Sequence, residues 1–397
     1  MFLKNQIYSA VILALMCPMG VALAQSEPTT EQKLDMLMEE VERLKQQVGG
    51  QTSPQDTNGN QQFSHAGASH ARVAHRSSVG ATKVGGYGEI HYNNLDSKKE
   101  MDFHRFVLFF GHSFSDRIRF FSELELEHTV AGEGKKGEIE LEQAFIEFDL
   151  SDRHRAQAGL FVLPVGILNQ THEPPTFYGV ERNPIETNII PTTWWEGGAG
   201  LNGEIMPGWS YDVTVSSGLF VPISGTNAYL IRSGRQAVSN ARADELAYTG
   251  RIKWTGWSGV ELAATAQYQS DVTQGTAAAA SATLLEAHAV VSQGPFGLRA
   301  LYANWSVEGN AAKAVGRDTQ SGWYIEPSYK ILPGVGVFAR YNAWDNQAGD
   351  STDSEKQQTN IGVNFWPHED VVIKADIQQQ SGVINDDGFN LGVGYQF

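Results

Sequence analysis

The strongest constraint on this chain is an alternation of apolar and polar residues that begins near residue 83 and recurs to the last residue. In the final segment, small or polar residues alternate with Phe389, Leu391, Val393, Tyr395 and Phe397. Because successive side chains of a strand point to opposite faces, such segments predict strands with one apolar face. These strands suit a barrel wall between lipid and water, although a soluble sandwich also has one apolar face per sheet.

Sixteen segments carry this pattern, and bacterial single-chain barrels have an even number of strands. Short turns such as 114–116 and 206–208 alternate with long polar connections such as 220–241 and 308–320, an asymmetry that is typical of transmembrane barrels. We therefore predict an all-β fold, a transmembrane antiparallel β-barrel of about 16 strands. The segments lie near 84–93, 102–113, 117–128, 138–149, 154–163, 196–206, 209–219, 242–254, 258–270, 282–292, 296–307, 321–331, 335–345, 357–366, 371–380 and 388–397. Aromatic girdles at the two interfaces are predicted from Trp209, Trp254, Trp257, Trp305, Trp323 and Trp366.

The segment 164–195 interrupts the alternation. It contains more than a third of the 14 prolines, namely Pro164, Pro174, Pro175, Pro184 and Pro191. Proline cannot donate to a sheet ladder and breaks helices, so the segment can be neither a strand nor a long helix. Long irregular loops in compact domains are usually functional. We predict that 164–195 folds into the bore as a constriction loop and decides which solutes pass.

The alternation also predicts which charged residues face the bore. On the fourth segment, Ile139, Leu141 and Phe145 are expected to face lipid, which leaves the glutamates between them inside. On the third segment the same argument places Glu123 and Glu125 inside. Six glutamates on two neighbouring strands would repel one another, so a basic loop residue, a bound cation or protonation must offset them. The six are Glu123, Glu125, Glu127, Glu138, Glu140 and Glu142.

Charged rings and opposed charged walls are the usual basis of ion selectivity in pores. We predict that selectivity depends on residues from the wall and the loop, although the carboxylates could instead serve only to anchor the loop. The candidates are His172, Glu173, Arg182, Glu186, Arg105, Arg119, Glu123, Glu125, Glu140, Glu142, Arg251, Lys253, Arg340 and Lys374.

The residues before the barrel predict three further regions. Residues 1–24 resemble a secretory signal peptide that is cleaved after Ala24. A periplasmic coiled-coil helix is predicted over 25–50, with an a/d seam of Leu34, Leu37, Val41, Leu44 and Val48. The seam does not choose between dimer and trimer, and a single amphipathic helix packed against the barrel is the alternative. Residues 51–82 form a flexible linker of low hydrophobicity, and the barrel occupies 83–397.

The sequence contains no convincing catalytic pattern. We find no Gly-x-Ser-x-Gly elbow, and His65, His70 and His75 recur at a spacing of five that fits no metal site. We therefore predict no enzymatic activity, no cofactor and no metal site. The formal net charge of −16 argues against nucleic acid as a partner.

Several segments resemble the phosphate-selective porin O/P family of Gram-negative outer membranes. The most specific is THEPPTFYGVERNPIETNIIPTTWWE (171–196), and ELEQAFIEF (140–148) and NLGVGYQF (390–397) agree with it. The resemblance covers about 83–397. It implies a homotrimer of 16-stranded barrels in outer-membrane lipid that passes small anionic solutes by passive diffusion. It also implies that Phe397 is the barrel-insertion signal read by the barrel-assembly machinery.

The chain departs from this family in one respect. Phosphate-specific members are associated with ladders of inward arginines and with lysine clusters, whereas here the densest inward charge is acidic. The predicted coiled coil is similar to that of dicarboxylate-type porins, so small organic acids are as good a candidate as phosphate. A cation-preferring or general diffusion porin, and a barrel-anchored cell-envelope tether, are the alternatives.

Overall fold

The computed structural model describes residues 79–129, 134 and 137–397. The predicted signal peptide, the coiled-coil helix with its seam, the three spaced histidines and all but the end of the linker lie outside these residues.

Sixteen antiparallel strands close into a barrel in which each strand pairs with its neighbours in sequence and β1 pairs with β16. The fold class and the strand count predicted from the sequence are confirmed. The strands are β1 Thr82–Leu95, β2 Lys99–Ser115, β3 Ile118–Glu127, β4 Ile139–Asp149, β5 His154–Val162, β6 Trp195–Met206, β7 Trp209–Ser216, β8 Ala247–Trp254, β9 Val260–Gln269, β10 Ser281–Gln293, β11 Phe296–Glu308, β12 Thr319–Leu332, β13 Val335–Asp345, β14 Lys356–His368, β15 Val371–Gly382 and β16 Gly388–Gln396.

The two ends of the barrel differ in their connections. At one end, which we call the short-turn end, the strands are joined by turns such as 116–117, 207–208 and 294–295. At the opposite, long-loop end, the connections include 128–138, 163–194 and 217–246. The asymmetry matches the alternation in loop length that the sequence predicts.

In the part of the chain that the structure describes, helices are few and short. The α-helices are α1 Ile185–Asn188 and α2 Asn310–Ala314, and 3₁₀ turns occupy Pro174–Thr176 and Ile231–Gly234. Among the described residues, no helix has both the length and the apolar character needed to cross a membrane.

The outer face of the wall is apolar along most strands, with Leu262, Ile377 and Leu391 among its exposed side chains. The inner face is not uniformly polar. Loops 163–194 and 217–246 bring Trp194, Leu219 and Ile231 into an apolar core inside the barrel. The core covers part of the inner faces of β10–β12, so apolar residues such as Leu284 and Leu301 lie there beside polar ones such as Glu286 and His288.

Two of the tryptophans that the sequence assigns to the girdles face the interior of the barrel. Trp305 is buried, its ring centroid lies 6.1 Å from that of Trp194, and its indole N–H donates to the carbonyl of Ile189 at 3.0 Å. Trp366 donates to the carbonyl of Pro175 at 3.1 Å. Both side chains therefore face inwards, which corrects the prediction, whereas Trp209 and Trp257 are exposed outside.

A bulge in β4 corrects a second prediction. Glu123 pairs with Gln143, but the next residue of β3, Leu124, pairs with Leu141, so Glu142 is the extra residue. A bulge reverses the faces of all residues beyond it. Phe145 therefore faces inwards, 5.6 Å from the ring of Phe121, and not towards lipid as the unbroken alternation predicted.

Candidate functional site

The loop 163–194 crosses the interior of the barrel and is held there by a buried carboxylate. Glu186 is 1% exposed. Its Oε1 accepts hydrogen bonds from the backbone N–H groups of Ile167 and Leu168, both at 2.6 Å. Its Oε2 accepts from Asn183 at 2.8 Å and from the hydroxyl of Tyr324 on β12 at 3.2 Å. Glu186 thus joins the two halves of the loop to each other and to the wall.

The middle of the loop is fixed to the other side of the wall. Asp376 on β15 accepts from the backbone N–H of Val180 at 2.8 Å, and Asn364 on β14 donates to the carbonyl of Phe177 at 3.0 Å. Arg340 on β13 donates to the carbonyl of Glu181 at 3.2 Å and pairs with Glu326 at 3.2 Å. These contacts make the loop a fixed part of the barrel interior.

Glycines on the inner wall admit the loop at close range. A Cβ at Gly336 would lie 2.2 Å from the hydroxyl oxygen of Tyr178, and one at Gly394 would lie 2.3 Å from Cβ of Pro174. Both distances are shorter than non-bonded atoms tolerate. The loop therefore depends on the missing side chains at these two positions.

Replacing Gly336 by valine is expected to displace Tyr178 and to destabilise the docked loop by about 1–3 kcal/mol, the usual cost of overpacking. Limited proteolysis of the loop should be faster in this variant than in the wild type. Gly250→Val is the matched control, since nothing lies within 4 Å of a Cβ added there. Equal cleavage rates for Gly336→Val and the wild type would contradict the prediction.

Two of the cavities formed by the described residues lie along the bore. The long-loop cavity has a volume of about 490 Å³ and is lined by side chains at the long-loop end, among them His104, Glu140 and Arg235. The short-turn cavity has a volume of about 530 Å³ and includes Arg153 and Asp212 in its lining. Glu142 lines the long-loop cavity and its neighbour Gln143 lines the short-turn cavity. We call this position on β4 the boundary between the two cavities.

Opposite charges face each other across the long-loop cavity. The glutamates come from β3, β4 and the residue before β4, and they are Glu125, Glu127, Glu138, Glu140 and Glu142. The arginines that come from the two long loops are Arg182, Arg232 and Arg235. Glu181 of the constriction loop and Arg105 of β2 line it too, so an ion that enters this cavity passes between a side rich in carboxylates and a side rich in guanidiniums.

The three loop arginines bind oxygens of the constriction loop. Arg182 donates to the hydroxyl of Thr193 at 3.0 Å, Arg232 donates to the carbonyl of Thr187, and Arg235 donates to the carbonyl of Thr193. Within the described residues, none of the three forms an ion pair with a carboxylate, and Nε and Nη2 of Arg182 have no hydrogen-bond partner there. Arg232 and Arg235 are exposed residues, so their positive charge is available to a solute, whereas Nε and Nη2 of Arg182 are buried and act on a solute only through their field.

Most basic residues of the wall are different, because carboxylates pair with them. Arg105 donates to Glu89 at 2.7 Å. In the short-turn cavity, Arg119 pairs with Glu147 at 2.7 Å, Arg251 with Asp212 at 2.7 Å and Lys253 with Glu261 at 3.5 Å. Most of the charge in this cavity is thus locally compensated.

The structure places the candidate residues of the sequence analysis in four groups. Those that line the long-loop cavity are Arg105, Glu125, Glu140, Glu142 and Arg182. Those that line the short-turn cavity are Arg119, Arg251 and Lys253. Glu123 and His172 meet Glu142 at the boundary. Buried in or against the loop, outside both linings, are Glu173, Glu186, Arg340 and Lys374, whose ammonium lies 3.5 Å from the ring centroid of Phe177.

Sequence reasoning missed Arg232 and Arg235. They lie in the connection 217–246, where no alternation assigns a side chain to a face. The signal that could have indicated them is the pair of arginines three residues apart in IRSGRQ (231–236), within a long loop. The pair stands out because this chain has few basic residues.

Comparison with known proteins identifies the family of this chain and several solved structures with a similar fold. The family model for the phosphate-selective porins O and P matches residues 84–380. An uncharacterized protein of Aquifex aeolicus is 31% identical over 333 residues, which cover 74% of this chain and 74% of that protein.

The solved structures that are similar share the fold at low sequence identity. The outer membrane channel DcaP of Acinetobacter baumannii has a TM-score of 0.56 at 14% identity, with 82% of this chain and 100% of that chain covered. An anion-selective porin from Comamonas acidovorans has a TM-score of 0.58 at 9% identity, with 80% and 99% covered. The trimer form of OmpT from Vibrio cholerae has a TM-score of 0.54 at 10% identity, with 81% and 100% covered.

Proposed function

The chain belongs to the family of phosphate-selective porins O and P and is an outer-membrane diffusion porin, and from this premise we propose that its preferred solutes are small anions. Inorganic phosphate and short organic acids are the two classes that fit. Passage is diffusive and involves no chemical step on the solute.

The observation that carries the proposal is the set of loop arginines that form no ion pair with any carboxylate of the described residues. Arg182, Arg232 and Arg235 all line the long-loop cavity, whereas the wall bases Arg105, Arg119 and Arg251 are paired. Arginine presents several donors in one plane and binds phosphate or carboxylate in a bidentate manner. The glutamates on the opposite side favour cations, so the selectivity depends on which wall controls the narrowest point.

The reversal potential of single pores across a KCl gradient tests the proposal. We expect a potential of the sign that marks preferential chloride passage. Phosphate, and separately a short dicarboxylate such as succinate, should then reduce the chloride current at concentrations at which an uncharged solute of similar size does not. A cation-selective potential would contradict the proposal and would assign control to the glutamates.

We further propose that the protein is a homotrimer, as the trimer form of OmpT is. The amino terminus lies in the periplasm, where the coiled-coil helix 25–50 supports the trimer after cleavage at Ala24. Phe397 closes the barrel, since it exchanges backbone hydrogen bonds with Gly86 on β1 at 2.9 and 3.0 Å. This position agrees with its proposed role as the signal for the barrel-assembly machinery.

The tether alternative makes a different prediction. A chain in which residues 25–80 are deleted should keep its conductance if the barrel is the functional part. A tether would lose its effect on the cell envelope in the same deletion, while the barrel itself would carry no selective current.

A further inference from the structure

Two carboxylates and one imidazole meet at the boundary between the two cavities. Nε2 of His172 lies 3.4 Å from Oε1 of Glu123 and 3.8 Å from Oε2 of Glu142. One potential ligand atom from each of the three side chains lies within 4.8 Å of the other two. All three side chains are buried. We call this group the boundary cluster.

The imidazole is oriented as metal-binding histidines usually are. Nδ1 of His172 lies 3.1 Å from the carbonyl oxygen of Asn169. Because a carbonyl can only accept, Nδ1 carries a proton and Nε2 is the atom directed at the carboxylates. Metal-binding histidines typically donate their other ring N–H to a carbonyl or carboxylate, which fixes the tautomer and the ring. Arg105 donates to the carbonyl of His172 at 3.0 Å and holds the backbone.

Glu123 is also oriented by neighbours. The hydroxyl of Tyr87 donates to its Oε1 at 3.3 Å, and the amide of Gln143 donates to its Oε2 at 2.6 Å. By contrast, Oε2 of Glu142 is buried and has no hydrogen-bond partner within the described residues. This oxygen is directed at His172, which is the third corner of the cluster.

The charge around the boundary cluster is negative. Glu125 is buried nearby and lines the same cavity as Glu142. Arg105 and Arg182 are neighbouring cations, but Nε of Arg105 already donates to Glu89 at 2.7 Å, and the two cations are fewer than the carboxylates Glu89, Glu123, Glu125 and Glu142. Buried charges in proteins are normally paired or coordinate a metal ion. A bound dication would offset this excess of carboxylates.

We propose that the boundary cluster binds one divalent metal ion of the zinc type through His172, Glu123 and Glu142. Zinc binds nitrogen and carboxylate oxygen at about 2.0–2.2 Å in tetrahedral geometry, which places ligand atoms about 3.3–3.6 Å apart. The observed 3.4 and 3.8 Å need only small side-chain movements to reach that geometry. The fourth position faces the long-loop cavity, which Glu142 lines, and it is taken by water.

The metal ion also reduces passage through the bore. A bound ion would obstruct the bore because the cluster lies where the constriction loop meets the wall between the two cavities. This second half of the inference rests on the proposed function. The first half, binding itself, does not rest on it. The three ligands come from β3, the bulge of β4 and the loop, so no local spacing in the sequence indicated a metal site.

Equilibrium dialysis of the full-length protein in detergent tests the binding half. After removal of metals with EDTA, the wild type should bind one Zn²⁺ per protomer more than His172→Gln and Glu142→Gln, or bind that ion at least tenfold more tightly. His128→Gln is the matched control, because His128 belongs to a separate group with Asp102 and His104. It should retain the ion that the two cluster variants lose.

Equal zinc binding by the wild type, His172→Gln and Glu142→Gln would overturn the proposal. Glu142→Gln keeps the shape of the side chain, so it decides the question if His172→Gln fails to fold, which strand content by circular dichroism reveals.

Single-channel recording tests the second half of the inference, that the bound ion reduces passage. Zn²⁺ should lower the current of the wild type reversibly, with recovery after EDTA, and should leave the current of His172→Gln unchanged. If one ion binds without any change in current, the reduced passage is refuted and the metal site in the boundary cluster is supported. Absence of current in every protein would refute the proposed function, while dialysis would still decide the binding.

Discussion

Replacing Arg182, Arg232 and Arg235 together by alanine is expected to convert an anion-preferring pore into a cation-preferring one. The three guanidiniums line the long-loop cavity opposite the glutamates. One unit charge about 6 Å from a permeating ion changes the energy of that ion by on the order of 1 kcal/mol at an effective dielectric constant between 20 and 80. Each single replacement should therefore change the local anion concentration by about fivefold, and the triple replacement should leave the carboxylate wall unopposed.

The measurement is the reversal potential of each variant across the same KCl gradient as the wild type. Arg242→Ala is the matched control, since Arg242 lies in the same loop 217–246 but is exposed and pairs with Asp244 at 3.6 Å. Its reversal potential should equal that of the wild type. An unchanged potential in the triple variant, with the barrel intact, would place these arginines outside the permeation path.

The salt dependence of this effect follows from screening. At about 0.1 M salt the Debye length is about 10 Å, close to the dimensions of the cavity, so the difference between the triple variant and the wild type should diminish at molar salt. A difference that persists at molar salt would indicate a change in the path of the loop and not in its charge.

The barrel could be predicted from the sequence because the period of two is a local property of every strand. Leu262 and Leu391 face outwards as the alternation requires. The rule fails where the inner face meets packed loops in place of water. On β11, Leu301 and Trp305 are buried inside the barrel, and an apolar inner face cannot be recognised from a pattern that assumes a polar one.

The site could be predicted only in part, because its arrangement depends on contacts between distant segments. Strand alternation placed Glu123 and Glu125 inside correctly, but the bulge at Glu142 reverses the faces beyond it, and nothing in ELEQAF indicates which residue is extra. Loops have no period, so the direction of Arg235 could not be assigned. A charged loop residue such as Glu186 can line a pore or bind backbone N–H groups, and the sequence does not distinguish the two.

Replacing Glu186 by alanine is expected to release the constriction loop from the wall. The backbone N–H groups of Ile167 and Leu168 would lose their acceptor while remaining buried. An unsatisfied buried donor costs about 1–3 kcal/mol, so the docked loop should lose roughly 2–6 kcal/mol. That is a large part of the stability that a single loop can have, and the undocked state should become populated.

The expected result is a larger and noisier single-channel current, because the loop no longer blocks part of the bore. Glu186→Gln should give an intermediate current, since its amide oxygen can still accept from both N–H groups while its amide nitrogen faces the donor Asn183. Glu355→Ala, at an exposed residue of the loop before β14, removes the same charge without releasing the constriction and should behave as the wild type. If the current and the protease resistance of Glu186→Ala also match the wild type, Glu186 does not hold the loop, and the contacts of Asp376, Asn364 and Arg340 suffice to keep it in place.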